Sequence, residues 1–541
     1  MRRRFQVLPA RLLALGAIGA LLTVPVASAR AQLKPEEVLV VYDSRLSDCR
    51  PVAEYYAGSA KVPGGAGGQP GVHPHVNVVN LAALGVPALN TGDTNYAEFI
   101  TRLRDPLRAH LAATGLTTKV RSIVLCKGIP HRIQDTDNAA VGDNPPVAEA
   151  EFLAGDYNCA SVDSELTLLW QNLNTGEAGG GGDSKSDGLI LNPYARATLP
   201  IAAFTSANIA AAKTLTQVES PAGLIWSGAS GVGPAQLTPG DMYLVCRLDG
   251  RSVLDVRAMI DRAQNLTVNP DTAVFVLDES NSNALADAAE TDELDNQGPP
   301  ELRLGDDYEQ TRDLLFADRR YLAANIRYNA LGGNANFLVG PRVEFDGLGL
   351  VVRGPVLLLA TEGANHSIIQ NTPPTPAMGS QYPRSFKYAR GAVFNSIESA
   401  NGRDFGGLGP NFGQAQAADF IAAGGTFAVA NVWEPFTWTI ADNLPITRSF
   451  FLGGLSWAEA AYAALPALSF HQIVLGDPLA RVMRTSEDIN GDGTLNVDDL
   501  YAWQAMPRDL NHDGVANAVD RRILETAVRG SESTFMKGPQ R

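Results

Sequence analysis

Cysteine is scarce: four residues in 541, Cys49, Cys126, Cys159 and Cys246, with none after Cys246. No two are spaced Cys-x-x-Cys, which excludes a zinc ribbon or a paired-thiol redox motif. A thiolate nucleophile is excluded from the second half of the chain. In an exported chain one or two disulfides stay open, with three full pairings allowed. Cys126 and Cys246 sit inside apolar runs and read as small buried hydrophobes. Histidine is also sparse, seven in all, and His73, His75, His110 and His471 are too scattered for a metal cluster. Positive charge is the minority, 43 Lys and Arg against 58 Asp and Glu, for a net charge of −15. With no basic patch carrying interleaved aromatics, nucleic acid is not an expected partner. Long apolar runs are missing beyond the first thirty residues, so no transmembrane span is expected after them.

Those first residues read as a secretory signal peptide over 1–31. Arg2 to Arg4 form the basic start, Leu12 to Val24 the apolar stretch, and Ala27-Ser28-Ala29 or Ala29-Arg30-Ala31 a small-residue cleavage site. Losing five arginines and no acids takes the net charge to about −20. The expected location is outside the cytoplasm: extracellular, cell-surface or periplasmic.

The whole chain is 45% apolar, enough for a large core. Short β-branched runs alternate with helical spacings. Val38–Tyr42, Asn77–Leu81, Val120–Cys126, Met242–Cys246, Ala273–Leu277, Leu348–Val352, Val356–Ala360 and Thr426–Val432 read as strands. Tyr96–Ala113, Val253–Ala263, Ala415–Ala422 and Trp457–Ala464 read as helices. This alternation predicts an α/β body over 32–485: three layers, a mainly parallel sheet and helices on both faces. In such sheets functional groups gather at the C-terminal strand ends, here Asp43, Lys127, His131, Asp249, Asp278, Glu362 and Glu434. The stretch 284–309 is acidic and reads as an exposed insertion. Residues 176–188 are a near miss to a phosphate loop and read as surface.

The most specific pattern lies near the end. Asp488, Asn490, Asp492, Thr494, Asn496 and Asp499 occupy positions 1, 3, 5, 7, 9 and 12 of a loop. Asp509, Asn511, Asp513, Val515, Asn517 and Asp520 repeat it 21 residues later. Gly493 and Gly514 stand at position 6, where a sharp turn is needed. Side-chain oxygens two apart in a tight loop, with a backbone carbonyl at position 7, are the donor spacing of a Ca²⁺ loop. Only exit helices are expected, Leu500 to Met506 and Arg521 to Val528. The module spans 486–530, is all-α, and is followed by a disordered tail over 531–541.

The tandem loops resemble a type I dockerin module. An ordinary closely paired EF-hand module shares the same loop. The resemblance implies Ca²⁺ as cofactor and a cohesin-like or other cell-surface protein as partner. Positions 10 and 11, Val497-Asp498 and Ala518-Val519, depart from the Ser-Thr type pair that dockerins often carry there. Across Leu33 to Val482, ordered signatures resemble an uncharacterised family of exported bacterial proteins from species with the exosortase sorting system. They include Cys126-Lys-Gly-Ile-Pro130, Ser161-Val-Asp-Ser-Glu-Leu166, Leu244-Val-Cys-Arg-Leu-Asp-Gly250 and Leu475-Gly-Asp-Pro-Leu479. That family has no established reaction. The chain carries no apolar sorting tail, so it is not expected to be an exosortase substrate itself.

The closing part of the body also resembles, distantly, the gingipain-type peptidases of caspase-like fold. Leu357 to Ser367 matches their His-bearing turn, and Val393 to Ser399 the strand that would present the nucleophile. The Cys is missing, so a peptidase-like hydrolase would rest on Ser396 or Ser399, His366 and Glu362. A polysaccharide-degrading enzyme is the other hydrolase expectation, because dockerins often ride on such enzymes. Asp163 and Glu165 are its nearest carboxylate pair, with a strand face or a helix N-terminus as the alternatives for their setting.

Overall fold

The computed structural model describes residues 32–64, 68–90, 92–134, 159–171, 189–211, 213, 216–220, 223–227, 237–279, 307–331, 338–342, 349–362, 376–406, 414–435, 439–490, 492, 494–510 and 515–536. Residues 1–31, expected as a signal peptide, the near-miss loop at 176–188, most of the acidic stretch and His366 lie outside the described residues.

Ten strands form one sheet. In chain order they are β1 (Val38–Tyr42), β2 (Asn77–Asn80), β3 (Ser122–Cys126), β4 (Leu244–Leu248), β5 (Val274–Asp278), β6 (Ile326–Asn329), β7 (Val356–Glu362), β8 (Tyr388–Ile397), β9 (Phe427–Asn431) and β10 (Gln472–Leu475). Across the sheet the order is β6-β5-β7-β8-β9-β10-β4-β3-β1-β2. The pairs on either side of the β9-β10-β4 seam are all parallel. β10 runs antiparallel to β9 and meets β4 at Arg247↔Leu475. β1, β3, β4, β5, β9 and β10 are buried at every position. Strands covered on both faces have no polar face to alternate with, so they read as unbroken apolar runs. The α/β class and the parallel-dominant sheet therefore match the sequence expectation.

Helices pack in two groups. Cys49–Ala57 (α1), Val253–Ala263 (α2) and Ala417–Ala422 contact one another, while Asp307–Asp318, Asn443–Ile446 and Trp457–Ala464 form the second group. Ser252 caps α2 by accepting from the Asp255 N–H, and Ser456 with Glu459 forms a capping box on Trp457–Ala464. The expected helix Tyr96–Ala113 is present with a π-turn at Ile100–Arg104. Pro106 has no N–H and crowds the preceding turn, and the wider turn relieves both.

Two expectations need correction. Of the expected strand Leu348–Val352, the described residues 349–352 do not enter the main sheet: among them Leu350–Val351 is strand, exposed, paired with Leu338–Val339. The end of the acidic stretch is not exposed either. Asp307, Tyr308 and Glu309 are buried at the start of a helix. There the Asp307 carboxylate accepts from the Asn443 N–H and side-chain amide, both at 2.7 Å, and from the Leu444 N–H at 2.8 Å. Three donors compensate its burial.

Beyond β10 the chain pairs Met483–Arg484 with Thr267–Val268 and enters the C-terminal module. Val497–Ala505 (α3) and Ala518–Met536 (α4) pack together there. They bury Ile489, Trp503, Leu524 and Val528 as a cluster separate from the main core. Trp503 Nε1 donates to the Arg508 carbonyl at 2.9 Å, which closes the link between the helices. Both helices begin three residues before their expected starts, because Asn496 and Asn517 act as N-caps. α4 continues to Met536, six residues into the stretch expected as tail.

Candidate metal centre

Each C-terminal loop is wound around the carboxylate at its twelfth position. Asp499 is fully buried. Its Oδ1 accepts from the Ile489 and Asn490 N–H groups at 2.8 and 3.2 Å, and its Oδ2 from the Asn496 N–H at 2.9 Å. Asp520, also fully buried, accepts from the Leu510 and Asn517 N–H groups at 2.7 and 2.8 Å. Positions 2 and 9 thus donate to position 12 in both loops. At position 9, Asn496 and Asn517 each accept from the N–H two residues on, at 2.6 and 2.7 Å, and start the exit helices. Asn490 accepts from Asp492 N–H and Asp492 from Thr494 N–H, both at 2.8 Å. These side-chain turns fold the loop two residues at a time.

The donor set fits a hard divalent cation. Each loop offers oxygens alone, from carboxylates, amides and the carbonyl of Thr494 or Val515. A carboxylate has about four acceptor sites, and three are taken at Asp499. Burial pushes the Asp499 carboxyl above its ordinary value. The three N–H donors oppose this, and the nearby Asp492 charge pushes it further up. Among the described residues no three His, Cys, Asp or Glu side chains converge on one point. The carboxylates of Asp488, Asp492 and Asp499 accordingly do not share a centre here, and Asp499 faces its own loop's N–H groups. Asn511 and Asp513 lie outside the described residues.

In the body, the strand-end charges are brought together in part, and they hold the fold. Arg247 of β4 is fully buried and bidentate with Asp163, at 3.2 Å from Nε and 2.5 Å from Nη2. It also donates to the Ile129 and Pro130 carbonyls at 2.7 and 3.0 Å. Lys127 reaches Asp249 at 3.3 Å and the carbonyls of Gly250 and Phe405 at 2.6 and 2.9 Å. His131 Nε2 donates to the Arg403 carbonyl at 2.7 Å, and its ring meets Phe405 edge-on at 5.2 Å. Burial, with the Arg247 charge second, pushes the His131 pKa well below its ordinary value and keeps the ring neutral. Together these contacts tie the β3 and β4 ends to the segment after β8. Asp43 pairs instead with Arg45 at 2.6 Å, and Asp278 accepts from Asn329 at 2.6 Å and Leu338 N–H at 2.8 Å.

The proposed carboxylate pair does not face across a cleft. Asp163 and Glu165 lie on the short helix Val162–Thr167, N-capped by Ser161. Two residues apart on a helix, they point to different sides. Asp163 goes to Arg247, and Glu165 accepts from the Ser469 hydroxyl. Ser396 is buried on β8, and its hydroxyl donates to Glu398 at 2.7 Å. Glu398 in turn accepts from the Ala415 N–H at 2.8 Å. The sheet register sets Ser396 beside Thr361 and Ile397 beside Glu362, so β7 and β8 do bring Glu362 and Ser396 into adjacent rows.

Sequence reasoning missed Arg247 and Glu398. Arg247 had a signal, a lone charge inside the apolar run Leu244–Leu248. Such a residue demands a buried counter-charge. All four cysteines are free and buried. No protein-family model matches this chain, and no curated protein matches it. Among the described residues no helix is long and apolar enough to cross a membrane.

Proposed function

We propose that this is an exported calcium-binding protein. Its C-terminal module takes Ca²⁺ in the two loops Asp488–Asp499 and Asp509–Asp520 and docks the α/β body onto an extracellular or cell-surface protein. The observation that carries the reading is the repetition of one loop geometry. In both loops a fully buried aspartate at position 12 accepts from positions 2 and 9, and an asparagine at position 9 starts the exit helix. Two unrelated polar turns have no physical reason to share that wiring. The small module core supports it too. Modules of this size usually need a metal, a disulfide or a partner to stay folded. On this reading Asp488, Asn490, Asp492, Asn496 and Asp499 supply side-chain oxygens to the ion, Thr494 a carbonyl, and the second loop the equivalent set. The bound ion would neutralise clustered carboxylates and fix the loops.

A docking role is supported by apolar side chains left in solvent on the module: Val497, Tyr501, Met506, Val515 and Val519 are all exposed. Val497 and Val519 stand at loop positions 10 and 11. The partner class we favour is a protein with a matching apolar face, cohesin-like in use. The test is thermal unfolding of the full chain with Ca²⁺ and with chelator. Calcium should raise the transition of the module, and the double variant Asp492→Asn, Asp513→Asn should abolish the rise. An identical melting profile in calcium and chelator counts against the reading.

A further inference from the structure

The first loop does more than hold its own shape, because the body grips it from two sides. Asp488 is buried, and its carbonyl accepts from the Asn269 side-chain amide. Thr494 accepts from Arg390 Nη1. Arg390, half-buried on β8, spends its other donors at the C-terminal end of α2. Its Nε goes to the Arg262 carbonyl at 3.2 Å, and its Nη2 to Asp261 and Gln264 carbonyls at 2.7 and 2.8 Å. A guanidinium is suited to a helix C-terminus, where carbonyls lack partners and the dipole is negative. Its planar fork lets one side chain tie α2 to the loop. The carboxylates of Asp261, Asp488 and Asp492 are near enough to act on its charge. Directly before the loop, the Met483 and Thr485 N–H groups donate to the Leu266 and Val268 carbonyls at 2.9 and 3.0 Å. A narrow cleft lined by Thr267, Asn269, Ala389, Arg390 and Asp488 runs along this contact. The described hydrogen bonds at Leu510, Asn517 and Val519 of the second loop, by contrast, close within that loop.

We propose that the first loop is a calcium-dependent joint that sets the module on the body, with Arg390 and Asn269 as the residues that sense its occupancy. This rests on the calcium reading above. Without an ion, the like charges of Asp488, Asp492, Asp498 and Asp499 would repel one another, and Arg390 would offset them only in part. An ion in the loop draws its oxygens together. The Asp488 carbonyl and the Thr494 hydroxyl then become fixed targets for donors already anchored in the body, and the short strand pair before the loop stops fraying. Calcium would thereby control the orientation of the module as well as its folding.

Hydrogen–deuterium exchange on the full chain, read over residues 479–487 beside a calcium titration, tests this. Calcium is expected to slow exchange at Met483 and Thr485 by at least about tenfold. Asp492→Asn should remove that slowing together with one calcium site. Asp513→Asn should remove the other site and leave the slowing in place. Arg390→Gln should keep both calcium sites and lose most of the slowing, and Asn269→Ala provides the same readout should the Arg390 variant misfold. Calcium uptake with unchanged exchange over 479–487 overturns the joint and leaves the calcium reading standing. No uptake at all overturns both.

Discussion

Arg247 is held by two Asp163 oxygens and the carbonyls of Ile129 and Pro130, all inside the core. Replacing it with Met would leave Asp163 charged and unpaired in a low-dielectric interior. Unpairing a buried ion pair typically costs about 3–5 kcal/mol, and urea unfolding of the Arg247→Met variant should show a loss of that order. Adding Asp163→Leu should recover part of it, since an apolar pair carries no desolvation penalty. Asp477, in the Leu475-Gly-Asp-Pro turn, is a second case. It accepts from Tyr56 at 2.7 Å, His73 at 2.7 Å and Gln264 at 2.8 Å. Burial pushes its carboxyl up, but the His73 charge and the three hydrogen bonds outweigh it and hold it below the ordinary value. A depressed folded pKa stabilises fully above the unfolded value, about 4, and the gain is lost as pH falls below that through the folded pKa. Stability measured by denaturant should therefore drop below pH ~4 in the wild type, and less steeply in Asp477→Asn. Sequence spacing flagged Lys127 and Asp249 as chemistry-bearing strand ends, and Asp163 only as the neighbour of Glu165. It could not show that a strand neighbour would pair them, because β3 and β4 are 122 residues apart between their first residues.

Elements with both faces buried were the most legible. β1 and Trp457–Ala464 match their sequence spans, as does α2, which is buried on one face only, and β3, β4, β5 and β9 shift by one or two residues. β6 was not legible because its four residues, Ile-Arg-Tyr-Asn, are buried only at the two ends and show no period of two. β10 was missed because its four residues follow His471 and end at Gly476, with a run too short to stand out. Its importance is topological, since it runs parallel to β4 and antiparallel to β9 and so joins two parallel blocks of opposite direction. The module's exit helices were legible in place and short in extent, since the capping asparagines begin them earlier than the apolar pattern does. The cysteines sit on these elements: Cys49 on α1, Cys126 on β3, Cys246 on β4, and Cys159 just before Ala160. Burial lifts the thiols of Cys126 and Cys246 well above their ordinary value. Native protein should leave all four unreactive toward a thiol-specific disulfide reagent, and denatured protein should titrate four. Fewer than four after denaturation without reductant would indicate a disulfide.

At the scale of the whole molecule, a large sheet with one continuous core carries a small second core, fastened beside the start of the interior strand β8. The fastening is a two-residue strand pair, an asparagine and an arginine, all beside the first loop. The loops were legible because their oxygen-bearing side chains recur at fixed spacing within a short segment. The fastening was not, because Asn269 and Arg390 are distant in sequence from the residues they hold. The central claim is that this chain binds calcium in those loops. Isothermal titration of Ca²⁺ into the chain from residue 32 onward, stripped with chelator, tests it most directly. The account predicts two Ca²⁺ ions per chain, falling to one in Asp492→Asn and in Asp513→Asn, and to none in the double variant. Absence of any uptake by the folded wild-type chain would contradict it.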